Sequence, residues 1–236
     1  MFNRFSFFLD GESCRSHGVV CSGSGVWDAP ERDVDIIEIP GRSGTLTVDN
    51  GRWKNVTVTY PILITPPFAE KSAAARAWLC LPGSRRLEDD RYPGVYRMAR
   101  LRGGITFKPT AKLDAATANV VFDCAPQRWL KSGEDPVTLT SAGALVNPTQ
   151  YDALPTITVE GTGAATLTVG EYQLTIDNID GSITLNSSIQ RAYNGTMARD
   201  GAVSGVYPVL PAGSTAISWD GSGVTSVTVI PRWWTI

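Results

Sequence analysis

The residues most able to do chemistry lie near the N-terminus. Cys14, His17 and Cys21 stand at spacings of three and four, and Cys80 and Cys124 are the only other thiols. Two thiolates and an imidazole are soft zinc ligands, and a third cysteine would complete a tetrahedron. Structural zinc sites, however, usually present paired C-x-x-C knuckles, which this chain lacks. No metal site is therefore expected. His17 is the single histidine, so any Ser-His-Asp or Cys-His device would have to use it. The serine in "GRSGT" (41–45) lacks the G-x-S-x-G form of a nucleophile elbow. Glu88, Asp89 and Asp90 in "LEDDRY" are consecutive, so on a strand they alternate between faces and make a poor carboxylate pair. "DNIDGS" has Asp177 and Asp180 but no closing glutamate for a calcium loop. The catalytic and metal sets are expected to be empty and the cofactor list with them, which describes a non-enzymatic protein.

Two further stretches carry candidate contact residues. "IIEIPGRSGTLTVDNGRW" (36–53) holds the turn signals Pro40-Gly41 and Asn50-Gly51 around the alternating run Thr45–Val48. Its glycines resemble a phosphate loop only superficially, because a phosphate cradle needs a helix to follow and a strand pattern follows here. The stretch reads as a β-hairpin. Arg42, Arg52 and Trp53 beside its turns belong to residue types enriched at interfaces, so they are the expected subunit contacts. The tail "IPRWWTI" places Trp233 next to Trp234. On a strand the two point opposite ways, so one fills a core and the other meets solvent, a partner or a sugar ring.

The elements that must position these residues are mostly strands. "RFSFFLDGES" gives two strand ends about Asp10-Gly11. "WKNVTVTYPILI" sets Val56, Val58 and Tyr60 on one face, with Pro61 marking an edge or a strand end. "TPPFAEKSAAARAWLCLPG" predicts the one helix, with Thr65 as its cap, Pro66-Pro67 in its first turn and Pro82-Gly83 as its stop. "RRLEDDRYPGVYRMARLRGG" reads as strand, acidic turn, strand. After the linker-like "RWLKSGEDP" (128–136), short alternating strands separated by glycine-rich turns predict a β-sandwich.

The totals fit this reading. The 236 residues are 42% hydrophobic and 19% charged, enough for two packed cores and against bulk disorder. Net charge is −2, but unevenly spread: 18 Lys and Arg face 14 Asp and Glu through Ser132, and 3 face 9 thereafter. The excess in the first half is too small to imply nucleic-acid binding. The start of the chain lacks the pattern of a signal peptide, no segment reaches the length of a membrane span, and the cysteines are expected as free thiols.

An ordered set of motifs resembles the siphophage distal tail protein (Dit) family. In the first half these are "FFLDGES", "APER", "IPGRSG", a helix running into "WL", and "FDCAP". In the second they are "YDALPTITVEGTG", "LTIDNIDGSITLN", "YPVLPAGSTAISWDGSG" and "VTVIPRWWTI". The resemblance implies a mainly β protein. Residues 1–132 would be a β-barrel-like, split-barrel ring domain with one α-helix, and residues 133–236 a galectin-like β-sandwich. It further implies a structural virion protein of the phage tail tip, made in the host bacterial cytoplasm. Its implied partners are five further copies in a homo-hexamer, the tail tube protein, a tail-associated hub or lysin protein, and receptor-binding or peripheral baseplate proteins. DNA would pass through the lumen without specific binding, and no membrane is involved. The alternative from another class is a carbohydrate-binding adhesion module with a lectin-like second domain.

Overall fold

The computed structural model describes residues 5–23, 25–110 and 113–236. The chain forms two compact units, the first running to Arg128 and the second covering Trp129–Thr235.

The first unit holds β1 (Phe7–Leu9), β2 (Glu12–Ser13), β3 (Val19–Cys21), β4 (Val26–Trp27), β5 (Arg32–Glu38), β6 (Thr45–Trp53), β7 (Val56–Ile64), α1 (Phe68–Leu79), β8 (Arg85–Asp89), β9 (Val95–Leu101), β10 (Lys108–Thr110) and β11 (Ala115–Cys124). Its main sheet runs β2-β1-β8-β9-β11-β7-β3, all antiparallel, and curls into a half-barrel. Along β7 every second residue is buried, from Val56 through Val58, Tyr60 and Ile62 to Ile64, so this period-2 pattern marks the core face. Phe7, Tyr60, Trp78 and Phe122 meet at its centre: Phe7 stacks on Tyr60 at 4.7 Å and on Trp78 at 5.7 Å, and meets Phe122 edge-on at 5.8 Å.

Two local expectations are corrected and one is narrowed. Of the two places expected for Pro61, an edge or a strand end, it takes a local edge in mid-strand, opposite Asn119. It is tolerated because the other side of β7 is interrupted there, with β3 pairing to residues 62–64 and β4 to 58–59. Thr65 does not cap α1. The Phe68 N–H donates instead to Oδ2 of Asp114 at 3.3 Å, so a residue 46 positions away satisfies the helix end. Asn50-Gly51 is not a turn but lies within β6, where the register shifts opposite Arg32–Val34. Gly51, at φ 74°, donates its N–H to Asp49 Oδ1 at 2.8 Å, which is how a β-bulge accommodates extra residues.

The Asp10-Gly11 turn between β1 and β2 is pinned from outside. Asp10 accepts from Arg85 Nε at 2.6 Å and from the Arg86 N–H at 2.9 Å. Burial opposes ionisation of Asp10, but these bonds and the Arg85 charge outweigh it and hold the carboxyl below its usual 3.8. Because the folded value is depressed, the stabilisation is complete above 3.8 and is lost as pH falls through the folded value. Replacing Asp10 with Asn is therefore expected to flatten the fall in Tm between about pH 5 and pH 2. Parallel pH-melting curves for the two proteins would contradict this.

β12 (Arg128–Leu130) spans the break. The second unit holds β13 (Val137–Leu139), β14 (Gly143–Asn147), β15 (Thr156–Val169), β16 (Tyr172–Asn186), β17 (Arg191–Asn194), β18 (Met197–Ala198), β19 (Val203–Gly205), β20 (Gly213–Asp220), β21 (Val224–Ile230) and β22 (Trp234–Thr235). β15 and β16 form one long hairpin shared by two layers. The first half of β15 pairs with β21 and its second half with β20, while β16 pairs with β19 early and β17 late. The partner changes at Gly161, where a Cβ would stand 2.1 Å from the Gly223 carbonyl oxygen, so only glycine lets the backbones approach this closely. The two layers enclose a core that includes Ile157, Leu167, Leu174, Ile183, Leu210 and Val229, as in a β-sandwich.

Candidate assembly surface

The cysteine and histidine set folds into the first core and separates there. Cys14 opens a 3-10 turn capped by Ser13 and closed by Gly18, and Cys21 ends β3; both are buried. A hydrogen bond from Cys21 draws the Cys14 thiol down, while that same bond and burial push Cys21 up. His17 faces elsewhere: its ring stacks on Trp78 at 4.5 Å, and Nε2 lies 3.1 Å from Glu12 Oε2. Among the described residues, no three His, Cys, Asp or Glu side chains converge as metal ligands do. Cys124 is buried and pushed up to about 12 by desolvation, whereas Cys80 is exposed. One thiol of the native protein is thus expected to react rapidly with an aromatic disulfide reagent and three only on unfolding. Two or more fast thiols in a timed titration would contradict this packing.

The most conspicuous surface is the hairpin of β5 and β6. Among the described residues these strands pair only with each other, as a separate two-stranded sheet. Their register places Ile37 opposite Leu46 and Asp35 opposite Val48, so Ile37, Leu46 and Val48 share one face. All three are exposed, as are Ile36 on the opposite face (65%) and Ile39 at the turn. Isolated two-stranded hairpins are marginal in water, and free strand edges offer unpaired N–H and C=O groups to another chain.

Ion pairs brace the base of this arm. Arg32 pairs with Asp49 at 2.7 Å and Arg52 with Asp33 at 2.6 Å. The Arg32 guanidinium lies 4.7 Å above the half-buried Trp53 ring, and its hydrogen bond holds Asp49 below the usual carboxylate range. The expected contact residues thus all fall on the arm, at two ends of it. Arg52 and Trp53 sit at the base, where Arg52 is engaged with its own hairpin. Arg42 sits in the turn, exposed, with its N–H bonded to the Ile39 carbonyl. The exposed isoleucines, Leu46 and Val48 escape a reading by periodicity, because alternation in a strand ordinarily signals a buried face within the same chain. The signal in the sequence was the adjacent pair Ile36-Ile37, which puts apolar side chains on both faces of one strand.

In the second unit Trp233 is buried in the core. Trp234 is half-buried, stacks on Tyr151 at 4.5 Å, and donates from Nε1 to the Asp152 carbonyl at 2.9 Å. The loop behind Tyr151 is fixed by buried Asn147, whose Nδ2 donates to the Tyr151 and Leu210 carbonyls and whose Oδ1 accepts from Thr149. Among the described residues no helix is long and apolar enough to cross a membrane.

A curled β-sheet with one helix and a separate two-stranded hairpin, followed by a sandwich, is the fold this chain shares with a solved phage protein. The chain is Dit-like in fold: it superposes on the crystal structure of the Dit protein of phage SPP1 with a TM-score of 0.74 at 10% identity, covering 98% of this chain and 99% of that one. That protein is described as a paradigm of the hub adsorption apparatus in phages infecting Gram-positive bacteria. Two structures of the phage P2 baseplate in its activated conformation, with strontium and with calcium, align over 96% and 98% of this chain and 97% and 98% of theirs. Their identities are 9% and 10% and their TM-scores 0.46 and 0.45, values at which a shared fold is no longer defined. No family model matches the sequence, and no curated protein matches it.

Proposed function

We propose that this protein is a structural distal tail hub of a long, non-contractile phage tail. Six copies close head to tail into a ring, which joins the tail tube to the baseplate and lets DNA pass. The observation that carries this reading is the β5–β6 arm, with two edges unpaired among the described residues and exposed apolar residues on both faces. Its occupant is a second copy of the chain. Cyclic rings form from heterologous contacts repeated around an axis, and an arm that lays a strand or an apolar face on the next subunit is an efficient way to make them. The near-full-length likeness to a hub protein supports the same reading, and with it a structural rather than enzymatic role, in the virion.

Arg42, at the arm's turn, is proposed to contact the neighbouring subunit. Arg52 and Trp53 are proposed to hold the arm's base at that interface. Trp234, the more exposed of the paired tryptophans, is the proposed contact for a docked baseplate or receptor-binding protein. A net charge of −2 supports passage without grip, because strong phosphate neutralisation would retain the DNA. Mass photometry of the purified protein tests the stoichiometry. The expected species has six times the 25.4 kDa chain mass, and a concentration-independent monomer would sink the proposal.

A further inference from the structure

Arg97 is the only charged residue among the buried described ones, at 6% exposure. It lies on β9 and lines a cavity of about 30 Å³ walled by β7, β8 and β9. Its hydrogen bonds are two long ones, from Nη1 to the carbonyls of Ala125 and Pro126, each 3.5 Å. Among the described residues no carboxylate lies within ion-pair distance of it. Arg128 lines the same cavity, and its guanidinium rests 4.6 Å above the Tyr92 ring.

The two acids on the cavity wall are committed elsewhere. Glu88 pairs with Arg86. Asp89 accepts from the Tyr60 hydroxyl at 3.0 Å and from the N–H groups of Arg91 and Tyr92 at 2.9 and 3.0 Å. Counting Arg86, three guanidiniums face two carboxylates, which leaves a local excess of positive charge. Burial and the neighbouring Arg128 charge both work against the charged form of Arg97, and Cys124, Tyr60 and Asp89 offset them only in part. A buried charge without a partner is strongly destabilising, and water in the cavity would solvate it without neutralising it.

We propose that this cavity is a binding site for one small monovalent anion of halide size, held between the Arg97 and Arg128 guanidiniums. The local excess of one positive charge favours a monovalent anion, and the roughly 30 Å³ open to water-sized atoms leaves room for a halide. Guanidinium forks also supply several convergent N–H donors and no acceptor, the chemistry a spherical anion needs. The proposal concerns the folded first unit alone and does not depend on the hub assignment.

The test uses the full chain. Melting is followed in about 200 mM sodium chloride, sodium bromide or sodium gluconate at equal ionic strength. Binding to the folded state alone should raise Tm in either halide by about 3 °C or more over gluconate. Arg97→Met and Arg128→Gln should each erase or shrink that increment. A crystal grown in bromide should show an anomalous peak between the two guanidiniums. Equal melting of the unsubstituted protein in halide and gluconate would overturn the site. A cavity without bromide would overturn it too, whatever the melting curves show. Both readouts stand even if Arg97→Met fails to fold.

Discussion

Replacing Ile37 and Leu46 together with lysine is expected to give a folded monomer that no longer assembles. The two residues face each other across the β5–β6 register and are 46% and 43% exposed. Neither belongs to the core cluster of the first unit, so their loss leaves that core intact. With more than half of each side chain already covered, burying the rest at an interface contributes about 0.7–1.4 kcal/mol per residue. Losing two at every contact weakens each contact by roughly 10–100-fold in association constant, before the cost of burying two ammonium groups. Closed rings amplify the effect, because every subunit loses the same contact twice. Sedimentation velocity beside a far-ultraviolet melting curve reads both halves of the prediction. An unchanged melt with a single slow species is the expected outcome. An oligomer that persists unaltered would exclude the arm as the assembly element.

The second large effect lies in the core. Truncating Phe7 to alanine is expected to destabilise the first unit by about 3–5 kcal/mol, the usual cost of removing a buried phenylalanine ring. Phe7 is fully buried and its ring touches those of Tyr60, Trp78 and Phe122. It therefore loses area burial and three aromatic contacts at once, and three large, rotamer-locked neighbours cannot readily collapse into the space. Calorimetry of the full chain should show the transition that carries this unit moving down by about 10 °C or more. A shift of less than about 3 °C would mean that the ring cluster does not organise the sheet.

Much of this fold was legible because its signals are local. The alternation from Val56 to Tyr60, the Asp10-Gly11 turn and the acidic turn between β8 and β9 follow from strand period and turn chemistry over a few residues. The signals that misled, or left a choice open, depend on distant partners. Nothing near Thr65 reveals that Asp114 will satisfy the helix start. Nothing beside Asn50-Gly51 reveals that its strand continues through the bulge to Trp53. Pro61 can sit mid-strand only because β3 and β4 leave a gap on that side. The candidate surface was harder still. Arg42, Arg52 and Trp53 drew attention to this hairpin by residue type alone, and the apolar residues between them carried no sign of whether their face meets a core or solvent. Periodicity reports that a face is covered; it does not report whether the cover comes from the same chain or from another copy. Arg97 carried no local signal either, since burial of a guanidinium in "VYRMARL" is decided by the strands packed around it.

The hub assignment rests on the arm meeting a second copy, so the most direct measurement is electron microscopy of the purified full chain with the arm resolved. The account predicts closed six-membered rings with a central channel and the β5–β6 hairpin of each subunit lying against its neighbour. Subunits that remain single, or rings in which the hairpins point free into solvent, would contradict it.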